Sequence, residues 1–160
     1  AKFGLELEEN KSRIVESGRY LASLKAKRGE STRLGTFDFL GFTFYCGRTT
    51  KGNPWIMPKT SSKKFRQKVK EIKIWLYNNK EQKLGKLMYM LNVKLVGHYR
   101  YYGISFNSRM ISNYKQQVRE LLYKVLNRRS EKKSYTREGF IEMMKYYKLV
   151  NPKIYYSLFC

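Results

Sequence analysis

The sequence predicts an α+β chain that is mostly α: a short aromatic β-hairpin, then a basic three-helix bundle, then a shorter C-terminal helix. Three observations lead there. Residues 36–47 string aromatic and β-branched side chains at strand spacing. After Pro58 the apolar residues recur at intervals of three and four, the period of an amphipathic helix. The same stretch concentrates positive charge: residues 1–48 carry nine basic and six acidic groups, net +3, and residues 49–160 carry 25 and six, net +19, which together give +22.

In chain order, residues 14–35 mix Gly, Ser and Lys and read as a strand end followed by a polar loop. The basic run at 25–33 has the composition to touch phosphate, but a solvated loop accounts for it more simply. In the run that follows, Phe37, Phe39, Thr43 and Tyr45 share one strand face with Gly41, and Asp38, Leu40, Phe42 and Phe44 share the other. Both faces are largely apolar, so the strand is expected to be covered on both sides, with Gly41 admitting a backbone or ligand close by. An ordinary core hairpin fits the same alternation. Residues 47–53 form a polar turn, residues 55–57 return as a short strand, and Pro58 ends it.

Thr60, Ser61 or Ser62 is placed to cap a helix running to about Asn78. Its buried stripe is Phe65, Val69, Ile72 and Leu76, with Trp75 at the edge. Lys63, Arg66, Lys70, Lys73 and Tyr77 form a second stripe, roughly 120° round the helix from the first. A solvated face normally mixes signs; this one has no acid, which suits tracking along phosphates. A second helix covers about residues 81–102. Leu84, Leu87, Met88, Leu91, Leu95, His98 and Tyr102 share its core face, and His98 there reads as an interior histidine rather than a ligand or base. Tyr99, Arg100 and Tyr101 fall on other faces and offer a stacking surface for bases.

A third helix starts at Asn107 or Ser108 and runs to about Arg128, with Met110, Ile111, Tyr114, Val118, Leu121, Leu122 and Val125 inward. Arg109, Gln116, Arg119, Tyr123 and Asn127 gather on an exposed flank suited to sugar and phosphate contacts. A plain polar flank has equal claim. Arg128, Arg129, Lys132 and Lys133 crowd the next turn. Thr136 caps a short helix whose apolar side is Phe140, Met143, Met144 and Tyr147, and Asn151-Pro152 breaks it before an apolar run, Ile154 to Phe159, that is expected to dock on the bundle or on a continuation of the protein outside this chain.

Composition narrows the function. With 42% hydrophobic and 16% aromatic residues the chain is too apolar for a disordered basic tail. No run of 18 apolar residues marks a membrane span. Cys46 and Cys160 with the single His98 make neither a zinc site nor a disulfide framework. A field as positive as +22 calls for a polyanion, and nucleic acid suits scattered charge better than a membrane does, so no membrane partner is expected. Asp38 is the only aspartate, whereas two-metal polymerases hold their ions about 4 Å apart on paired acidic ligands. No catalytic residue and no metal ligand is therefore assigned in this chain.

The run Phe37-Asp38-Phe39-Leu40-Gly41-Phe42 resembles the primer-grip hairpin of reverse transcriptases encoded by bacterial and organellar group II introns. Upstream, Phe3-Gly4-Leu5-Glu6-Leu7 and Asn10-Lys11-Ser12-Arg13-Ile14 are similar to the palm segment that precedes that hairpin, although Asn10-Lys11-Ser12 stands where the family more often has Glu-Lys-Thr. Downstream, the run from Leu91 to Gly103 resembles the thumb, or maturase, element, and Asn107-Ser108, Leu126 to Ser130, and Pro152-Lys153-Ile154 fall where the family has similar runs. The family's Tyr-x-Asp-Asp strand would precede residue 1, so the chain is expected to be a fragment or one piece of a larger protein.

The resemblance implies residues 1–58 as the C-terminal part of a palm with a primer-grip-like hairpin at Phe39, Leu40, Gly41 and Phe42, and residues 59–160 as a thumb-like maturase domain that binds RNA. Lys11, which matches the family's palm lysine, would approach the phosphates of an incoming nucleotide, and a plain surface or strand-end lysine has equal claim if the palm is absent. Arg100 and the basic residues already named would contact RNA. The implied partners are structured intron RNA, a template–primer duplex and the remaining fingers and palm, and Mg²⁺ would serve the intact enzyme, with no cofactor in this chain. Shape, phosphate and 2′-hydroxyl contacts would dominate over sequence reading. The implied setting is bacterial cytoplasm or an organelle. A stand-alone, non-enzymatic RNA-binding splicing factor is the competing reading, and a basic ribosome-associated protein a more distant third.

Overall fold

The computed structural model describes residues 19–29, 35–49, 52–129 and 134–158. Among them the fold is α+β and mostly helical, with one small antiparallel sheet. Lys11, Lys132 and Lys133, and the palm-like segment at residues 3–14, lie outside the described residues. The chain divides into two compact units: one lies within residues 1–39 and 43–57, the other takes residues 40–42 and 58–160.

The first unit opens with a helix where a polar loop is expected: α1 is Arg19–Lys27. Its sequence is rich in Leu, Ala and Lys, all strong helix formers, and the flanking glycines concealed that propensity by suggesting turns. The continuous strand expected from Phe37 to Tyr45 is instead two strands, β1 (Phe37–Phe39) and β2 (Phe42–Arg48). Leu40 and Gly41 both take positive φ, 47° and 82°, the left-handed pair that a two-residue hairpin turn requires. The strand is therefore not covered on both sides: Asp38, Phe39 and Leu40 are exposed. Phe37 stacks on Phe44 with centroids 5.0 Å apart. Strand β3 (Pro54–Thr60) completes the order β1-β2-β3. Pro58 does not end it. Proline lacks an N–H for the ladder but is tolerated on an edge strand, and β3 is one.

The second unit is the helical bundle: α2 (Ser62–Asn78), α3 (Leu84–Tyr102), α4 (Ser108–Leu126) and the shorter α5 (Arg137–Tyr146). Ser61 caps α2, its hydroxyl accepting from Lys64 N at 3.3 Å, and Thr136 caps α5, accepting from Gly139 N at 3.1 Å. The core is Ile72 and Leu76 from α2, Leu87, Leu91 and Leu95 from α3, and Ile111, Val118 and Leu122 from α4, each at most 5% exposed. Burying each such side chain contributes about 1.5–3 kcal/mol, so the three faces hold one another.

Two features differ from the sequence reading. Helix α3 starts three residues late because residues 79–82 form a turn, Gln82 N donating to Asn79 O at 3.1 Å, while Gln82 O accepts from the Arg129 guanidinium at 3.0 Å. The C-terminal run docks, but through its backbone: Tyr155 N donates to Gly103 O at 2.7 Å and Ser105 N to Tyr156 O at 3.1 Å, while Tyr155, Tyr156 and Leu158 stay exposed. Just before it, Asn92 clasps the chain, donating to Lys148 O at 3.0 Å and accepting from Val150 N at 2.9 Å. That return covers the flank of α3 on which Tyr99 lies. Tyr99 is consequently fully buried and does not belong to a stacking surface.

Candidate nucleic-acid interface

Helix α2 has one wall in the core and two basic flanks. On the first, Lys63, Arg66, Lys70 and Lys73 are all exposed, as their spacing predicts. Arg66 turns its Nε back to Ser62 O at 3.2 Å, which holds its guanidinium along the helix. Tyr77 continues the stripe, and Arg128, just past the end of α4, meets it there: it donates to the Tyr77 hydroxyl at 2.6 Å and lies 5.8 Å from the ring centroid. The structure thus joins two residues that sequence placed in separate helices.

The other predicted contacts scatter. Arg109 is exposed at the start of α4, and Arg100 is exposed on α3. Arg119 is half-buried beside Ile141 and Met144 of α5. Tyr123 is not a free flank residue: its hydroxyl donates to Tyr135 O at 3.2 Å, and its ring packs edge-on against Phe140 and under Arg137, whose Cζ is 4.4 Å from the centroid. Asn127 donates to the same carbonyl at 3.1 Å. Tyr135, just before α5, pairs its backbone N–H and carbonyl with these polar side chains, which ties α5 over that flank. Arg129 is likewise engaged, on Gln82 O. Of the primer-grip-like residues, Phe42 is buried against Tyr102, centroids 5.3 Å apart, and Leu40 is exposed while its carbonyl accepts from the Tyr101 hydroxyl at 2.9 Å. Phe39 is 59% exposed, so it is not the packing residue that strand alternation makes of it.

The second flank of α2 escapes the sequence reading. Lys64, Lys68 and Trp75 face α3 across a cleft of about 680 Å³, with Lys94, His98 and Tyr101 on the opposite wall. Their spacing on each helix, at three, four or seven residues, is legible in sequence, but Glu71 interrupts the charge pattern and hides it. That carboxylate accepts from Lys68 at 2.8 Å and from Gln67 at 2.9 Å, and the Lys68 hydrogen bond holds it below the usual carboxylate range. Lys94 lies 5.0 Å from the Trp75 ring centroid. His98 stacks on Tyr114, centroids 3.7 Å apart and planes within 15°. Burial, and secondarily the charge of Lys68, pushes its pKa down to about 4, so the imidazole is neutral at pH 7 and carries both a donor and an acceptor. Burial also pushes the Tyr114 and Tyr102 hydroxyls up.

Acids do not neutralise the α2 stripe. Among the described residues after Pro58, Glu71, Glu81, Glu120 and Glu142 each pair with a Lys or Arg outside the α2 stripe. The described residues contain no group of three or more His, Cys, Asp or Glu able to hold a metal ion. Asp38 accepts a hydrogen bond from the Thr43 hydroxyl. No helix among the described residues is long and apolar enough to cross a membrane.

Compared with known proteins, the family model described as group II intron, maturase-specific domain matches residues 62–147. No curated protein and no solved structure matches the chain. The match spans α2 to α5 and includes the stripe and most of the cleft.

Proposed function

Because the chain belongs to the group II intron maturase-specific domain family, whose work is in group II intron splicing, we propose that its helical unit binds structured intron RNA along the exposed face of α2. The acid-free stripe Lys63, Arg66, Lys70 and Lys73 carries this reading. Those four cations rise along one helix face at the spacing of successive turns, where they neutralise neighbouring phosphates and release counter-ions. Arg128, oriented by Tyr77, extends the positive track beyond α2. An RNA helix would be held by its backbone and shape, and splicing would be assisted by stabilising the folded intron rather than by chemistry on this chain.

In the intact protein the same unit acts as a thumb on a template–primer duplex, with residues 1–58 as the end of a palm and the Leu40–Gly41 turn near the primer end. The exposed tip, with Leu40 at 67%, supports that placement. Lys11 serves the incoming nucleotide's phosphates in this scheme. In the intact enzyme Mg²⁺ would be held by acidic ligands other than these, because one aspartate, already hydrogen-bonded to Thr43, does not fit a two-metal site.

The test is the salt dependence of binding to a group II intron RNA fragment, read by fluorescence anisotropy. Each lost phosphate contact lowers the slope of log K against log salt by about 0.7–0.9. Changing Lys63, Arg66, Lys70 and Lys73 together to Gln flattens the slope by about three units, with helical circular dichroism retained because Gln keeps helix propensity. Lys145, Lys148 and Lys153 to Gln is the control. Loss merely in proportion to charge removed by both variants would mean diffuse polycation binding and no interface on α2.

A further inference from the structure

We propose that the cleft between α2 and α3 takes a single unpaired RNA nucleotide, its base against Trp75, His98 and Tyr101 and its phosphate at Lys64, Lys68 and Lys94. This deepens the RNA-binding reading above and rests on it. The stripe on the outer flank of α2 is exposed and cationic, which suits a paired backbone. The cleft is different in kind. Its volume of about 680 Å³ lies in the usual range of small-ligand pockets, about 300–1,000 Å³, and fits one nucleotide rather than a duplex.

Its chemistry is that of single-strand recognition, cations tracking the backbone and aromatic rings for the base. Tyr101 is 54% exposed and its hydroxyl is already tied to Leu40 O, which fixes the ring. His98 is held by its stack on Tyr114 and presents a neutral imidazole to a base edge. Lys94 rests over Trp75, so a phosphate drawing that ammonium outward frees the indole face for the base. Among the described residues Glu71 is the only acid lining the cleft, and it is engaged by Lys68. On the α3 wall, Gly97 has nothing within 4 Å of where a Cβ would stand. A larger side chain there would stand in open space at the cleft's edge without displacing the core.

The experiment uses the full chain and two RNA hairpins of equal nucleotide number, one fully paired and one with a single bulged adenosine. The bulged hairpin is expected to bind about tenfold more tightly, the scale of one base stack on an aromatic side chain. Gly97→Leu should abolish that preference while leaving affinity for the paired hairpin, and helical circular dichroism, unchanged. Trp75→Leu should act in the same direction. The four-residue stripe variant should instead weaken both hairpins in parallel. Equal binding of the two hairpins by the unaltered chain, or a preference surviving both Gly97→Leu and Trp75→Leu, overturns the pocket and leaves the stripe reading standing. Failure to bind either hairpin overturns both.

Discussion

Asn107 holds Thr60 by two hydrogen bonds across 47 residues of sequence: its Oδ1 accepts from Thr60 N at 2.8 Å, and its Nδ2 donates to Thr60 Oγ1 at 2.8 Å. The same Nδ2 donates to Tyr102 O at 2.8 Å. Both side chains are buried, Asn107 fully. One amide therefore ties the entry of α2, the exit of α3 and the start of α4, which is why Asn107 makes no side-chain cap on its own helix. Asn107→Ala would leave a buried N–H, hydroxyl and carbonyl without this partner, and each such group costs about 1–3 kcal/mol. A loss of about 3 kcal/mol is expected in urea unfolding; a loss under about 1 kcal/mol would mean water replaces the amide.

The backbone at Gly103 should tolerate no side chain. A Cβ there would stand 2.3 Å from Tyr99 O and 2.4 Å from Lys153 O, both backbone atoms. Gly103→Ala is expected to destabilise by more than about 2 kcal/mol, as strain in a packed interior does, and to release the C-terminal run to proteolysis. Gly97→Ala is the opposite case: open space surrounds it, and the mid-helix replacement should stabilise by up to about 1 kcal/mol. Equal effects of the two would contradict the packing described.

His98 makes the fold sensitive to acid. Its folded pKa of about 4 lies below the ordinary 6.5, so between those values the unfolded chain binds the proton and the folded chain resists it. Stability is complete above about pH 6.5 and falls as the pH drops toward 4, by about 3 kcal/mol. His98→Phe keeps an aromatic ring against Tyr114 and removes the titration. The stability difference between the two proteins should therefore change across pH 6.5–4, and a constant difference would show that the imidazole protonates freely in the fold.

At the hairpin tip, Leu40 adopts φ 47° without glycine's freedom. Leu40→Asn should stabilise the hairpin by about 0.5–1 kcal/mol, because asparagine accepts the left-handed region more readily; the side chain is exposed, so little packing is lost. Gly41→Val should do the reverse, since Gly41 has φ 82° and its Cβ would approach the Tyr102 hydroxyl at 3.3 Å. Thermal melting that ranks the variants otherwise would argue against the two-residue turn.

With a single aspartate, the chain by itself is expected not to extend a primer on an RNA template in Mg²⁺ or Mn²⁺. Metal-dependent incorporation that co-purifies with the chain and disappears on Asp38→Asn would contradict this, because it would require a paired-aspartate site that this sequence does not contain.

Helical periodicity determined the bundle. Phe65, Ile72 and Leu76, then Leu87, Leu91 and Leu95, then Ile111, Val118 and Leu122 recur at intervals that leave one apolar face per helix, and the cap at Thr136 was legible because local hydrogen bonds depend on local sequence, whereas the structure chose Ser61 among three candidates. The exposed cationic stripe followed from the same geometry, and the ordered motifs carried the family. Tertiary structure alone decided the rest. Whether Leu40-Gly41 continues a strand or turns it rests on two φ angles that alternation does not encode. Tyr99 became core and Tyr123 a joint because segments distant in sequence, residues 148–150 and 135–140, return to cover them. Lys64, Lys68 and Trp75 became one wall of a cleft only when α3 set Lys94 and Tyr101 opposite. A helix face is a local property; what lies across from it depends on long-range packing, to which a one-dimensional period is blind.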